Sequence, residues 1–169
     1  MSDPELTEQA RALLALCRSK KLRIATAESC TGGLVAATLT EIPGSSDVVE
    51  RGFVTYTNEA KQTMLGVPAT TLAAFGAVSK ETAEAMAKGA LVHSPAELAV
   101  SITGIAGPGG ATPGKPVGLV HFAACSRRGS MLLREQRYGD IGRADVRKAS
   151  VGEALAMLRA LAEEASPSA

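Results

Sequence analysis

The sequence has few aromatic side chains: they make up 3% of its 169 residues, and tryptophan is absent. Proteins that bind single-stranded nucleic acid stack the bases on such rings, so this composition offers little for that function. The 18 basic and 17 acidic residues leave a net charge of +1, which gives no large field to attract phosphate groups. We therefore expect no binding to nucleic acid.

Cysteine and histidine are also scarce. The three cysteines, Cys17, Cys30 and Cys125, lie far apart, and the two histidines, His93 and His121, are isolated. A structural zinc site needs clustered ligands at short spacing, and the sequence contains no C-x-x-C pair. We expect no metal site and a reducing cellular compartment.

Long apolar segments are missing as well. No run approaches the roughly 20 apolar residues of a membrane-spanning helix. Residues 2–5 lack the basic and apolar regions of a secretory signal. We expect a soluble cytoplasmic protein without membrane contact. Its length fits one domain, commonly of about 100–150 residues. We expect that domain over residues 1–169, with a core at 6–161 and a disordered tail at 165–169.

One polar stretch lies between two apolar runs. Residues 25–33 read Ala-Thr-Ala-Glu-Ser-Cys-Thr-Gly-Gly, with apolar segments at 22–25 and 34–37. This order predicts a strand, a tight turn and a helix. Open α/β sheets bind ligands at the carboxyl ends of their strands, and the following helix would direct unpaired N–H groups to the same place. Ser29 therefore lies where a nucleophile would lie. The alternative is that Ser29 or Thr31 only caps the helix.

The rest of the chain alternates between strand and helix patterns. We predict five strands and five helices in a single-domain three-layer α/β/α sandwich. A turn at residues 127–130 joins the last two strands, so we expect a mixed, mostly parallel sheet that ends in an antiparallel hairpin. The predicted strands cover residues 22–26, 48–57, 98–103, 117–125 and 131–138. The predicted helices cover residues 4–18, a segment from the turn to residue 41, 59–65, a segment after Ser79, and 143–164.

Two adjacent residues in the turn are candidate nucleophiles. Amide hydrolysis without a metal needs an activated nucleophile, a base and an oxyanion site. A cysteine nucleophile usually depends on a histidine, but His93 falls at a predicted helix end and His121 within a predicted strand. Because neither has a reason in the sequence to approach the turn, we favour Ser29 and interpret Cys30 as a packing residue.

Lys61 is the candidate base. With Asn58 as the predicted cap, Lys61 falls in the first turn of a helix, where the macrodipole disfavours a cation. That field and desolvation in a cleft would lower the pKa of the lysine and leave some neutral amine to act as a base. Ser–Lys pairs are a known variant of the catalytic triad. The alternative is an ordinary solvated lysine.

Three further features fit a site beside this pair. Tyr56, just before the same helix, could relay a proton or hold the pair in register, or it could be an amphipathic residue at a strand end. The glycine-rich loop at 103–110 follows a predicted strand, as a substrate loop would, although it also fits a mobile connector. It is not a Walker loop, because no Gly-Lys-Ser/Thr follows. Arg143 opens the last predicted helix and could clamp a phosphate or remain solvated.

Several motifs in order resemble the CinA carboxyl-terminal domain family, over residues 6–161. They are the segments 26–33, 43–46 (Pro-Gly-Ser-Ser), 52–61 (Gly-Phe-Val-Thr-Tyr-Thr-Asn-Glu-Ala-Lys), 76–79 (Gly-Ala-Val-Ser) and 101–108. Characterised members of this family are nicotinamide-nucleotide amidohydrolases. The resemblance implies hydrolysis of the carboxamide of nicotinamide mononucleotide to nicotinic acid mononucleotide and ammonia, in NAD salvage, without a metal or organic cofactor.

The resemblance also implies roles for individual residues. By motif, Ser29 is the nucleophile, Lys61 its base and Tyr56 an assisting group. Oxyanion or substrate contacts are implied for Thr31, Gly32, Gly33, Ser46, Thr103, Gly104, Ala106, Gly107 and Arg143. The loop after Pro108 departs from the family pattern at residues 109–113. We expect the mononucleotide as the partner and a homo-oligomer as the assembly. Two other functions stay open: a non-catalytic nucleotide-binding module, and a competence-associated module that interacts with DNA-uptake proteins.

Overall fold

The structure is a computed structural model that describes residues 3–167. Met1, Ser2, Ser168 and Ala169 lie outside the described residues, and so does the end of the predicted tail. The strands are β1 (Ile24–Glu28), β2 (Val49–Val54), β3 (Leu98–Gly104), β4 (Leu119–Ser126) and β5 (Met131–Arg137). The helices are α1 (Pro4–Lys20), α2 (Leu34–Thr40), α3 (Asn58–Leu65), α4 (Ala69–Phe75), α5 (Lys80–Val92) and α6 (Arg143–Glu164), and a short 3-10 helix covers Ser45–Asp47.

The five strands form one sheet in the order β2-β1-β3-β4-β5. β1 pairs with β2 and β3 in parallel, whereas β3–β4 and β4–β5 are antiparallel. Within residues 3–167, four strands therefore run in one direction and β4 alone is reversed. This arrangement confirms the mixed, mostly parallel sheet and its terminal hairpin.

Helices cover both faces of the sheet and confirm the three layers. Leu98, Val100 and Ile102, on alternate positions of β3, face a core that α1, α2 and α6 cover. Ala99 faces a second core, which α3, α4 and α5 cover with residues such as Met86. No helix within residues 3–167 combines the length and the apolar content needed to cross a membrane.

Some local boundaries differ from the predictions. β1 begins at Ile24 rather than at residue 22, and it continues through Glu28 to the start of the turn. Thr57, not Asn58, caps α3: its hydroxyl accepts a hydrogen bond from the Ala60 N–H at 3.0 Å. The short helix α4 is absent from the predicted elements, and among its residues only Leu72 is buried.

Three chain segments meet at one end of the sheet, where the carboxyl ends of β1, β2 and β3 lie. Glu28 at the end of β1 pairs with Ile102 near the end of β3 and with Val54 at the end of β2. The turn after β1 and the glycine-rich loop after β3 therefore meet at this end. β2 ends there too and leads into α3, which carries Lys61.

Candidate active site

The carboxylate of Glu28 holds the turn that follows β1. Glu28 is 1% exposed and accepts hydrogen bonds from the N–H groups of Gly33 (3.2 Å), Val35 (2.9 Å) and Ala36 (3.0 Å). A helix leaves such N–H groups unpaired in its first turn. Glu28 therefore caps α2, and the alternative in which a hydroxyl of the turn does so is wrong. The expectation that this helix directs unpaired N–H groups at a ligand is also corrected, because the protein satisfies them itself.

The backbone of Ser29 is fixed on both sides. Its N–H donates to the Ile102 carbonyl at 3.0 Å, and its carbonyl accepts from the Gly32 N–H at 2.9 Å. Gly32 and Gly33 have φ values of 57° and 104°, in the left-handed region that glycine adopts most readily. The two glycines thus allow the sharp turn that places the Ser29 side chain at the edge of the sheet.

Lys61 reaches back from α3 to the Ser29 side chain. Its Nζ lies 3.0 Å from Ser29 Oγ and 2.8 Å from the Thr55 carbonyl oxygen. Lys61 is only 1% exposed, so it is not the solvated lysine of the alternative interpretation. A neutral amine in this position can donate one N–H to the Thr55 carbonyl and accept the proton of the serine hydroxyl. The structure therefore brings together the two residues that the sequence pairs as nucleophile and base.

Burial lowers the pKa of Lys61 below its ordinary value of 10.5, because removing water disfavours the ammonium form. A smaller interaction with Cys30 acts in the opposite direction. No carboxylate forms an ion pair with Lys61 within residues 3–167. The environment thus raises the fraction of neutral amine, which is the form that can accept a proton.

A cleft of about 280 Å³ opens beside the pair. It is lined by Ser29, Cys30, Tyr56, Lys61, Ala77, Val78, Thr103, Gly104, Ile105, Ala106, Gly107, Gly109, Gly110 and Arg143. A larger cavity, of about 370 Å³, lies at the opposite edge of the sheet near Arg127 and Leu161, away from this chemistry.

Arg143 and Tyr56 face each other at the cleft. Arg143 donates to the Tyr56 hydroxyl at 2.7 Å and to the Gly107 carbonyl at 2.9 Å. Tyr56 is 55% exposed, and within residues 3–167 its hydroxyl has no hydrogen bond to Ser29 or Lys61. The guanidinium is therefore held at the cleft by the tyrosine and by the glycine-rich loop.

The profile of the CinA C-terminal domain family matches residues 6–162. This chain belongs to the CinA C-terminal domain family. The competence/damage inducible protein CihA from Agrobacterium tumefaciens, whose crystal structure is known, is 56% identical in sequence to this chain. The two structures match with a TM-score of 0.94, over 95% of this chain and 98% of that one. A CinA superfamily protein from Klebsiella pneumoniae is 33% identical, with a TM-score of 0.89 over 95% of this chain and 99% of that one.

Sequence relatives in the CinA family are longer proteins. A CinA-like protein of Mycolicibacterium gilvum is 54% identical over 136 residues, which is 80% of this chain and 32% of the relative. The chain spans about a third of the length of the curated relatives that it matches.

The loop residues predicted for the CinA-family site lie in the cleft. Thr103, Gly104, Ala106 and Gly107 all line it. The Thr103 hydroxyl donates to the Ala77 carbonyl at 2.7 Å, so this side chain also ties the end of β3 to the segment before α5.

Four of the predicted site residues lie outside the cleft lining. Gly32 and Gly33 use their N–H groups within the turn, on Ser29 and Glu28 respectively, so they are not oxyanion donors. Thr31 is fully buried, and its hydroxyl has no partner within residues 3–167. Ser46 is exposed in the 3-10 helix that precedes β2, at the amino ends of the strands. The resemblance implies a substrate contact for Ser46, but the fold places this residue at the end of the sheet opposite the cleft.

Cys30 is a core residue of this domain, as the sequence interpretation has it. It is 5% exposed, and burial raises the pKa of its thiol to about 11. His93 bonds to the Gly89 carbonyl at 2.8 Å, and His121 lies 3.7 Å from Glu135, so neither histidine approaches Cys30. Within residues 3–167 no group of three or more His, Cys, Asp or Glu side chains is placed to hold a metal ion.

Two residues that hold the site are absent from the sequence-based prediction. Glu28 braces the turn, as described above. Arg147 donates from Nε to the Cys30 carbonyl at 3.1 Å and from Nη2 to the Thr31 carbonyl at 3.3 Å. The sequence carries a clue to each: an acidic residue shortly before a helix, and an arginine four positions after Arg143 on the same helix face.

Proposed function

We propose that this domain is a cytoplasmic nicotinamide-nucleotide amidohydrolase. It hydrolyses the carboxamide of nicotinamide mononucleotide to nicotinic acid mononucleotide and ammonia, in NAD salvage. The observation that carries the proposal is the buried contact of 3.0 Å between Lys61 Nζ and Ser29 Oγ. A serine bonded to a buried lysine of lowered pKa has the arrangement that nucleophilic amide hydrolysis requires.

The first half-reaction forms an acyl-enzyme. Ser29 Oγ bonds to the carboxamide carbon while the Lys61 amine takes the hydroxyl proton. The C=O electron pair moves onto the oxygen, which becomes an oxyanion. When that pair returns, the C–N bond breaks, and Lys61 delivers the proton to the departing nitrogen, which leaves as ammonia.

The second half-reaction consumes one water. The Lys61 amine accepts a proton from this water as the water oxygen bonds to the acyl carbon. The bond between that carbon and Ser29 Oγ then breaks, and Lys61 returns the proton to the serine. The products are a nicotinic acid group and the original enzyme, so one amide and one water have become one acid and one ammonia.

The Cys30 N–H is the proposed oxyanion donor. In nucleophile turns between a strand and a helix, the N–H of the residue after the nucleophile commonly fills this role. Within residues 3–167 the Cys30 N–H donates to no other residue and interacts with the sulfur of its own side chain, and Cys30 lines the cleft beside Ser29. It is thus available to the substrate oxygen, in contrast to the N–H groups of Gly32 and Gly33.

The charge of the cleft suits an anionic substrate. Among the described residues that line it, Arg143 carries a positive charge and none is an aspartate or glutamate. The hydrogen bonds that Arg143 donates go to two uncharged oxygens, the Gly107 carbonyl and the Tyr56 hydroxyl, so they do not neutralise its positive charge. A phosphate or ribose phosphate binds favourably to such a guanidinium.

The decisive test is ammonia release by the purified protein supplied with nicotinamide mononucleotide. We expect one ammonia and one nicotinic acid mononucleotide per substrate consumed, no turnover by Ser29→Ala, and full activity after exhaustive EDTA treatment. A loss that added zinc or magnesium restores would contradict the metal-free mechanism. Tight binding of the mononucleotide without ammonia release would indicate a non-catalytic nucleotide-binding module instead.

A further inference from the structure

Besides Glu28, the turn after β1 is held by Arg147, which lies on α6. Arg147 is half-buried, and its guanidinium points at the carbonyl oxygens of Cys30 and Thr31 rather than at solvent. A Cβ added to Gly32 would lie 3.3 Å from Arg147 Nη2, so the guanidinium packs closely against the turn.

The bonding of Arg147 differs from that of another arginine on the same helix. Arg159 pairs with Glu163 at 2.8 Å, whereas within residues 3–167 neither Arg147 nor Arg143 forms an ion pair with a carboxylate. Arg143 and Arg147 are four residues apart, a spacing at which like charges repel on a helix. Both guanidinium groups instead hold carbonyl oxygens at the active site. This placement favours a role in the site over a role in helix stability.

The hydrogen bonds of the turn fix the direction of the Cys30 N–H. A peptide group is planar and trans, so its N–H points away from its C=O. The Gly32 N–H holds the Ser29 carbonyl, which orients the peptide that carries the Cys30 N–H. Arg147 holds the next carbonyl along, that of Cys30. Both peptide planes that flank the Cys30 α-carbon are therefore held, one by the turn and one by Arg147.

We propose that Arg147 is a positioning residue: by holding the Cys30 and Thr31 carbonyls, it keeps the Cys30 N–H directed at the oxyanion that forms on attack by Ser29. This inference rests on the proposed amidohydrolase function. Arg147 does not touch the substrate in this scheme. Its effect is on the transition state, because an oxyanion donor contributes most when the charge develops.

The test compares Arg147→Met, Arg147→Lys and Arg159→Met, which removes an arginine from the exposed part of the same helix. Loss of an oxyanion donor costs about 10²–10³ in kcat, so we expect Arg147→Met to lower kcat by about 10²-fold. KM should change by less than about threefold, since binding and transition-state interactions separate in this way. Arg147→Lys, which keeps one charged donor, should recover part of the loss. Arg159→Met should match the wild type.

A second readout does not depend on the identity of the substrate. A small fluorophosphonate labels an activated serine, and its phosphoryl oxygen uses the same oxyanion site, so intact-mass measurement of labelling at Ser29 reports that site directly. Ser29→Ala is the blank. We expect labelling to slow in Arg147→Met and to recover partly in Arg147→Lys. Thermal unfolding of each variant is recorded alongside.

The outcomes separate the two proposals. If the wild type labels at Ser29 but releases no ammonia from the mononucleotide, the substrate is wrong, and the labelling rates of the variants still decide the role of Arg147. Unchanged kcat and labelling in Arg147→Met would overturn the inference. So would a raised KM with unchanged kcat, which would make Arg147 a substrate-binding residue. If Arg147→Met does not fold, Arg147→Lys decides: labelling at the wild-type rate overturns the inference. A wild type that neither labels at Ser29 nor releases ammonia from the mononucleotide would overturn both proposals.

Discussion

Ser29 and Lys61 are 32 positions apart in the chain, yet their side chains meet at 3.0 Å in a place where Lys61 is only 1% exposed. The amine is held there by the Thr55 carbonyl, six residues before it. The lysine therefore cannot swing into solvent without losing a buried hydrogen bond. Its protonation state is coupled to both catalysis and stability, and each coupling can be measured.

The rate should follow the neutral fraction of Lys61. We expect kcat for ammonia release to rise with pH through the lowered pKa of Lys61 and to level off above it, because only the neutral amine accepts the serine proton. Lys61→Arg should be nearly inactive, since a guanidinium stays charged at any usable pH. Substantial kcat in Lys61→Arg, or a Lys61→Ala variant that raises only KM, would show that the lysine binds substrate and is not the base.

Stability should depend on pH with a defined sign. The folded-state pKa of Lys61 is lowered below 10.5, so between these two values the unfolded chain holds a proton that the folded chain has lost. The free energy of unfolding therefore rises with pH between these two pKa values. At a pH below both values Lys61 is charged in the folded protein as well, and the whole cost of burying that charge lowers the stability. Relative to Lys61→Met, which has no titrating group at this position, the wild type should gain stability as the pH rises toward 10.5, in urea unfolding experiments. Lys88→Met, which removes an exposed lysine, serves as the control and should show no such trend.

The two candidate nucleophiles respond differently to substitution. Ser29→Ala should abolish turnover while the fold survives, because the buried amine of Lys61 keeps its hydrogen bond to the Thr55 carbonyl. Cys30→Ala should keep most of the activity, since the buried thiol has a pKa of about 11 and is protonated at neutral pH. Ammonia release and thermal unfolding of both variants decide the matter. The reverse pattern, with an active Ser29→Ala and a dead Cys30→Ala, would exchange the two assignments.

Replacement of Glu28 should destabilise the turn. Glu28→Gln keeps the size of the side chain but loses the charge and one acceptor oxygen, so some of the three N–H groups that it caps are left unsatisfied. A buried donor without a partner costs about 1–3 kcal/mol. We expect a fall of this size in the free energy of unfolding and a parallel loss of activity. Glu41→Gln, which changes an exposed residue after α2, is the matched control and should have little effect on either quantity.

A pair of helical glycines provides the sharpest test of packing around the base. A Cβ at Gly89 of α5 would collide with the Leu65 carbonyl at the end of α3, the helix that carries Lys61. Gly89→Ala should therefore destabilise the protein by about 1–3 kcal/mol, as overpacking does, and should lower kcat.

At Gly152 of α6 the nearest atom to a new Cβ lies 3.5 Å away, in ordinary contact. Gly152→Ala should stabilise the protein by about 0.5–1 kcal/mol, because alanine restricts the unfolded chain. Equal effects in the two variants would contradict this account.

The sequence predicts the layers, the sheet type and the Ser29–Lys61 pair. These features rest on local patterns: apolar periodicity marks the strands and helices, and the polar turn after β1 marks the site. The small-residue face of α5, with Ala83, Ala87 and Ala90, is buried as its spacing indicates. The short helix α4 escapes prediction because its seven residues bury only Leu72 and no side chain caps its start.

The residues that hold the site in place are harder to predict, because each of them contacts a different segment of the chain. Thr57 and Asn58 are both good helix caps, and the sequence alone does not choose between them. Glu28 acts across the turn, on N–H groups five to eight residues away. Arg147 acts on a turn more than 100 positions earlier, and only the fold brings the two together. Ser46 is the opposite case: the resemblance to the CinA family implies it as a site residue, but the fold places it at the amino ends of the strands.

The cleft is assembled from segments that are synthesised at different times. Ser29 lies in the turn that follows the first strand, whereas Arg143 and Arg147 lie on α6, the last helix among the described residues. A ribosome delivers the amino-terminal segments first, and they can begin to pack while the rest is still being made. A nascent chain in which Ser29 already contacts Lys61 still lacks the guanidinium groups of Arg143 and Arg147. The growing polypeptide therefore carries an incomplete site until translation has passed the start of the final helix.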